Sequence, residues 1–182
     1  MIYTYKESKI KGAYELFPNV FEDHRGKLVK PFYKESFLDL GLDCDFGEAF
    51  ITTNFKHVIR GFHFQKPPYC QARLLYCITG SFFNVLIDIR KNSPTYGQYD
   101  TFEISSVKNS ALYVPEGIAN AYCTLEEPTV IEYHLTKKYM PEYEMGLRYN
   151  CIQEILWPAA NPIISEKDLR LPLFNDFESP FE

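Results

Sequence analysis

Four histidines, His24, His57, His63 and His134, are all the imidazole chemistry in the chain. No GxGxxG or GxxxxGKS loop is present, which removes the usual Rossmann and P-loop phosphate cradles. No GxSxG elbow offers an activated serine. If the chain is catalytic, acid–base chemistry by His, Asp and Tyr is what remains. His63 is the informative histidine. It follows Arg60 and Gly61 in GFHFQ (61–65) and is bracketed by Phe62 and Phe64. That pattern predicts a strand facing the interior of a β-sandwich. An imidazole kept neutral there by apolar neighbours can act as a base near neutral pH.

The segments that must position His63 read as short strands between turns. RLLYCITG (73–80) and SFFNVLIDIR (81–90) are rich in β-branched and aromatic residues and meet at Gly80. NSPTYG (92–97) supplies turn chemistry, YDTFEISS (99–106) alternates at period two, and ALYVPEG (111–117) ends in Pro-x-Gly. TVIEYHLT (129–136) alternates again. Strands spaced by about 8–12 residues, with few helical patterns between them, predict an all-β sandwich or barrel. Two short helices are expected beside it: one within FYKESFLDLGL (32–42), and one after Ser165, whose side chain suits an N-cap before EKDLR. No repeat or linker interrupts residues 1–182, which read as a single domain.

Composition narrows the function classes. The chain has 182 residues, 16% aromatic and 24% charged, as a folded globule does. A net charge of −5 gives no electrostatic footprint for DNA or RNA. A few arginines in a pocket can still hold an anionic ligand. The N-terminal residues lack the apolar core of a secretory signal, and no run is long enough to span a membrane. Five cysteines, Cys44, Cys70, Cys77, Cys123 and Cys151, are an odd number without CxxC spacing. A reduced cytoplasmic chain is the expectation. A metal-binding jelly roll usually offers a His-x-His pair, a following acid and a late histidine after Pro-x-Gly. Here His63 stands alone, and PEGIAN (115–120) places Asn120 where the late ligand would be. A transition metal needs three or four good donors, so no metal site is expected.

Five stretches occur in order: HRGKLVK (24–30), VIRGFHFQ (58–65), QARLLYCITGSFFNVLIDIRKNSPTYGQY (71–99), LYVPEGIANAY (112–122) and NPIISEKDLRLP (161–172). Together they resemble the dTDP-4-dehydrorhamnose 3,5-epimerase family, the RmlC family, over nearly the whole chain. The RGxHxQ and VDxRxxSPTxG-like segments carry most of that resemblance. It implies a cupin-like jelly roll, usually dimeric, that inverts carbon centres beside the ketone of a nucleotide-linked 4-keto-6-deoxy sugar. It implies no cofactor and no metal.

The resemblance also implies roles. His63 matches the general base and Asp168, in SEKD, the acid that orients it. Tyr133, in IEYHL, matches the phenol that donates a proton from the opposite face. Arg73 stands where lysine is common and keeps the positive charge that stabilises an enolate oxygen. Arg25 and Arg60 match positions that contact the substrate's phosphates or sugar, Gln65 of the RGxHxQ segment is expected to bind substrate together with Glu48, Lys30 and Asn120, and Tyr139 matches an aromatic of the pocket wall. Arg90, two residues after Asp88, reads as structural.

Departures from the family pattern cluster around the substrate. Asn120 replaces a frequent histidine, Lys30 an acid in a stretch that contacts the neighbouring subunit's ligand, and Leu28 an aromatic. Glu48 and Phe50 stand where Gln and Asn are usual. Inversion at C3 and C5, or at C3 alone, is expected on a dTDP-linked sugar, with CDP and GDP left open. The competing readings are a 3,4-ketoisomerase of the same fold and a non-catalytic nucleotide-sugar-binding jelly roll. A homodimer is expected, with MIYTYKES (1–8) as a strand exchanged by β-addition.

Overall fold

A computed structural model describes residues 3–182; Met1 and Ile2 of the expected exchange strand lie outside the described residues. Two sheets form the molecule. The first strands are β1 (Tyr3–Glu7) and β2 (Tyr14–Pro18), followed by a two-stranded ribbon, β3 (Val20–Asp23) and β4 (Gly26–Val29). Helix α1 (Lys34–Asp39) leads to β5 (Glu48–Asn54) and β6 (Ile59–Gln65). Then come β7 (Arg73–Thr79), β8 (Ser81–Asp88), β9 (Tyr99–Ser105), β10 (Ala111–Val114), β11 (Ile118–Thr124) and β12 (Thr129–Leu135). Strand β13 (Glu144–Gly146) and helix α2 (Glu166–Leu169) complete the elements used below.

The six-stranded sheet runs β1-β2-β10-β7-β12-β5 and the five-stranded sheet β13-β6-β11-β8-β9. All their registered pairings are antiparallel. This is the expected cupin-like β-sandwich with short helices. Alternation in sequence becomes sidedness in space. Along β12, Thr129, Ile131, Tyr133 and Leu135 are buried while Val130, Glu132 and His134 are half-buried. Leu75, Cys77, Phe82, Leu86, Phe102, Ile104, Leu112, Val114, Ile118, Tyr122 and Ile131 pack with Tyr133 and Leu135 as the core shared by the two sheets.

Both outer faces are also covered. Phe37 of α1 packs with Tyr3, Leu16, Leu74 and Tyr113 against the six-stranded sheet. Leu147, Ile155 and Phe181 from the C-terminal segment pack with Phe62, Phe64, Val85, Ile87 and Ala121 against the five-stranded sheet. Strand β11, IANAYCT, is therefore buried at every position, which hides the alternation that marks its neighbours.

The expected turns and caps are present. Gly80, between β7 and β8, has φ +78°, a left-handed conformation that glycine adopts without strain. The Ser165 hydroxyl accepts the backbone N–H of Asp168 at 3.1 Å and caps α2. Asp88 is fully buried and receives Arg90, Ser93 and Thr95, so the SPT turn is fastened internally and Arg90 is structural, as expected. All five cysteines are free thiols. No helix among the described residues is long and apolar enough to cross a membrane.

Candidate active site

His63 lies on β6, whose neighbours dictate its surroundings. Gly61 has φ +110°, and a Cβ there would fall on the Asn120 carbonyl oxygen and 2.9 Å from the Ala121 Cα. Only glycine lets β6 lie this close to β11, which explains the Arg-Gly that precedes His63. His63 and Asn120 are direct cross-strand partners, with Asn120 buried and its amide joined to that of Asn84 at 2.8 Å.

One expectation needs correction. Phe62 does not line the cavity with the imidazole; it packs on the outer face under the C-terminal segment, while Phe64 packs in that outer cluster and also borders the cavity. What meets His63 is a carboxylate. Its Nε2 and Asp168 Oδ1 are 2.8 Å apart, with side-chain exposures of 29% and 5%. Burial alone pushes the Asp168 carboxyl up, but hydrogen bonding to His63, the imidazole's charge, the Gly61 N–H and Lys167 together hold it below the usual carboxylate range. An ionised Asp168 favours a proton on Nε2 and leaves Nδ1 as the basic nitrogen.

A cavity of about 370 Å³ opens between the sheets beside His63. Residues expected at the site that line it are Glu48, Arg60, His63, Gln65, Arg73, Asn120, Tyr133 and Tyr139. His63 and Tyr133 come from different layers: His63 from the five-stranded sheet, Tyr133 from the six-stranded one. Desolvation pushes the Tyr133 phenol well above its ordinary value, Tyr122 adds to this, and Arg73 and Arg60 oppose it. The phenol is thus held protonated at neutral pH. Arg73 is buried, and its Nη1 donates to the His63 carbonyl oxygen at 2.9 Å. Its side chain reaches from β7 of the six-stranded sheet and lines the cavity.

The remaining lining residues differ in freedom. The Arg60 guanidinium is anchored through Nε to Asn54 Oδ1 at 2.9 Å, leaving its terminal nitrogens available. Glu48 accepts the Tyr139 backbone N–H at 2.6 Å, and the Tyr139 hydroxyl donates to Glu144 at 2.7 Å, which raises that phenol to about 12. Gln65 is fully engaged with the protein: its amide nitrogen faces the Tyr69 and Lys138 carbonyls and Gln71, and its oxygen accepts the Met140 N–H. It braces two loops at the cavity rim. Arg25 and Lys30 lie outside the cavity. Arg25 is exposed at the ribbon turn and paired with Asp23, and Lys30 is exposed just after β4.

Sequence reasoning missed Thr52, Gln71, Tyr122, Leu135 and Glu144 as lining residues. Tyr122 was accessible by stepping two residues from Asn120 along one strand face. Its hydroxyl donates to Asn54 Oδ1 at 3.2 Å. Glu144 carries no local signal; it is brought in by β13 pairing with β6 and by its ion pair with Lys167 beside Asp168. Among the described residues, no group of three or more His, Cys, Asp or Glu side chains is placed to hold a metal ion.

The sequence model described as dTDP-4-dehydrorhamnose 3,5-epimerase matches residues 7–176. The chain belongs to the dTDP-4-dehydrorhamnose 3,5-epimerase family. It is 34% identical over 161 residues to the dTDP-4-dehydrorhamnose 3,5-epimerase of Shigella flexneri, covering 87% of this chain and 89% of that protein. The family's crystal structure from Bacillus anthracis, with TDP and pyrophosphate bound, superposes with a TM-score of 0.91 at 32% identity, over 94% of this chain and 99% of that one. ChmJ, a 3'-monoepimerase from Streptomyces bikiniensis in complex with dTDP-quinovose, gives 0.87 at 27% identity, over 92% and 86%. Membership makes the chain a nucleotide-sugar epimerase, an isomerase by reaction class.

Proposed function

We propose that the cavity inverts C3 and C5, or C3 alone, of a dTDP-linked 4-keto-6-deoxy sugar for a surface polysaccharide or glycoside. The observation that carries this reading is the placement of His63 and Tyr133 on opposing sheets facing one cavity. Inversion requires a proton to leave one face of the ring and return to the other. His63 Nδ1 takes the proton beside the C4 ketone and the electron pair moves to the carbonyl oxygen as an enolate. Arg73 stabilises that oxygen, and Tyr133 then donates its proton to the opposite face and becomes a phenolate. Solvent restores both side chains. Acid–base help of this kind contributes about 10²–10⁴-fold, and a charge beside the oxyanion about 10²–10³-fold. The chemistry asks for no cofactor.

Arg60 binds the diphosphate, and Glu48, Asn120 and Tyr139 contact the sugar and nucleoside, with Gln65 holding the rim. Arg25 and Lys30 serve a neighbouring copy's cavity in a homodimer, which their exposed place on and beside the β3–β4 ribbon supports. The chain acts as one domain over 1–182, in the cytoplasm, in keeping with its free cysteines. The test is solvent deuterium incorporation into dTDP-, CDP- and GDP-4-keto-6-deoxy sugars. Exchange at C3 and C5 that vanishes in His63→Ala is expected for a 3,5-epimerase, and exchange at C3 alone for a 3-epimerase. Binding without exchange in any substrate would refute catalysis.

A further inference from the structure

We infer that Phe50 is a positioning residue that aims the Tyr133 hydroxyl at the reacting carbon, an inference that rests on the role of Tyr133 proposed above. Phe50 of β5 and Tyr133 of β12 are direct cross-strand partners. Their rings stack with centroids 4.7 Å apart and planes inclined by 11°. Both line the cavity, Tyr133 buried at 6% exposure and Phe50 open at 40%.

Among the described residues no polar group hydrogen-bonds the Tyr133 hydroxyl, so no directional partner fixes where it points. Packing must do so instead. A parallel ring on one side removes half of the arc through which the phenol could swing, and offset stacking favours the observed orientation over its rotamers. Phe50 also covers one face of Tyr133, supporting the burial that keeps the phenol protonated. Because β5 is an edge strand, Phe50 reaches the cavity rim and touches Tyr133 without belonging to the central core cluster.

This role separates two steps of one turnover. His63 is half-exposed and exchanges its captured proton with solvent, so it can return a deuteron to the original face. Inversion alone needs an aimed Tyr133. The experiment measures deuterium wash-in at C3 and product inversion in parallel, in the wild-type protein and in Phe50→Ala, Phe50→Leu and Phe50→Tyr. The ratio of wash-in to inversion is expected to rise about tenfold in Phe50→Ala. Phe50→Leu, which keeps bulk but not the ring plane, shifts the ratio in the same direction even if the alanine variant fails to fold. Phe50→Tyr keeps the ring and the wild-type ratio. A ratio unchanged in Phe50→Leu, or wash-in and inversion falling together, overturns the positioning role. A wild-type protein that shows no wash-in in any substrate overturns the epimerase reading itself, and this role with it.

Discussion

His63 Nε2 and Asp168 Oδ1 meet at 2.8 Å across 105 positions of sequence. The carboxylate reaches the imidazole because Ser165 caps a four-residue helix that begins two residues before Asp168. Asp168→Asn keeps the shape of the contact but can present its amide N–H to Nε2, which favours the wrong tautomer. The expected result is a loss of about 10²–10⁴ in kcat with KM little changed, measured by steady-state assay. An asparagine variant of wild-type activity would remove Asp168 from the dyad.

The same contact gives a pH dependence of stability. The folded Asp168 carboxyl lies below its ordinary value of 3.8. Its contribution is therefore complete above that ordinary value and is lost as pH falls through the depressed folded one. The advantage in Tm of wild type over Asp168→Asn should persist above the ordinary carboxylate value of 3.8 and should shrink as pH falls below it. Calorimetry across that range checks the sign.

Tyr133 behaves in the opposite way. The proposed donor role needs it protonated, and burial lifts it well above 10.0, so it should impose no alkaline loss on inversion below about pH 10. Tyr133→Phe should abolish inversion by about 10²-fold or more while deuterium wash-in at C3 persists through His63. Loss of wash-in in Tyr133→Phe would assign the first proton transfer to the phenol instead.

Arg73 reaches from β7 of the opposite sheet to place its Nη1 on the His63 carbonyl oxygen. Arg73→Lys keeps charge but loses the planar fork, and a fall of roughly tenfold in kcat/KM is expected. Arg73→Gln loses the charge and should cost about 10²–10³-fold. Equal losses in the two variants would place its role in packing and not in stabilising an oxyanion.

Much of this was legible in the sequence wherever one face of an element meets water or a half-buried layer. TVIEYHL alternates, and β12 follows it residue for residue; the Ser165 cap and the helix within 32–42 were equally plain. His63, Tyr133 and Arg73 share a cavity, as the family resemblance implied. What stayed hidden depends on contacts between distant strands. IANAYCT is covered on both sides and shows no period, so Tyr122 passed unremarked. Glu144 arrives only because a three-residue strand pairs with β6. Gln65 looked free to bind substrate, yet four backbone and side-chain groups occupy its amide. Arg25 stood next to the site in reasoning but sits on an outlying ribbon in space.

Tyr133 and His63 hang from separate sheets, so the reach between them is set by the thickness of the sandwich, about 10 Å in such packings. The fold works as a ruler whose length is written in side chains such as Leu75, Phe82 and Leu86 of the shared core. A change of one methylene there alters the gap without touching the cavity. On the proposed mechanism, residues that never meet the sugar set the spacing of its two proton-handling side chains, and a screen confined to the cavity wall would miss them.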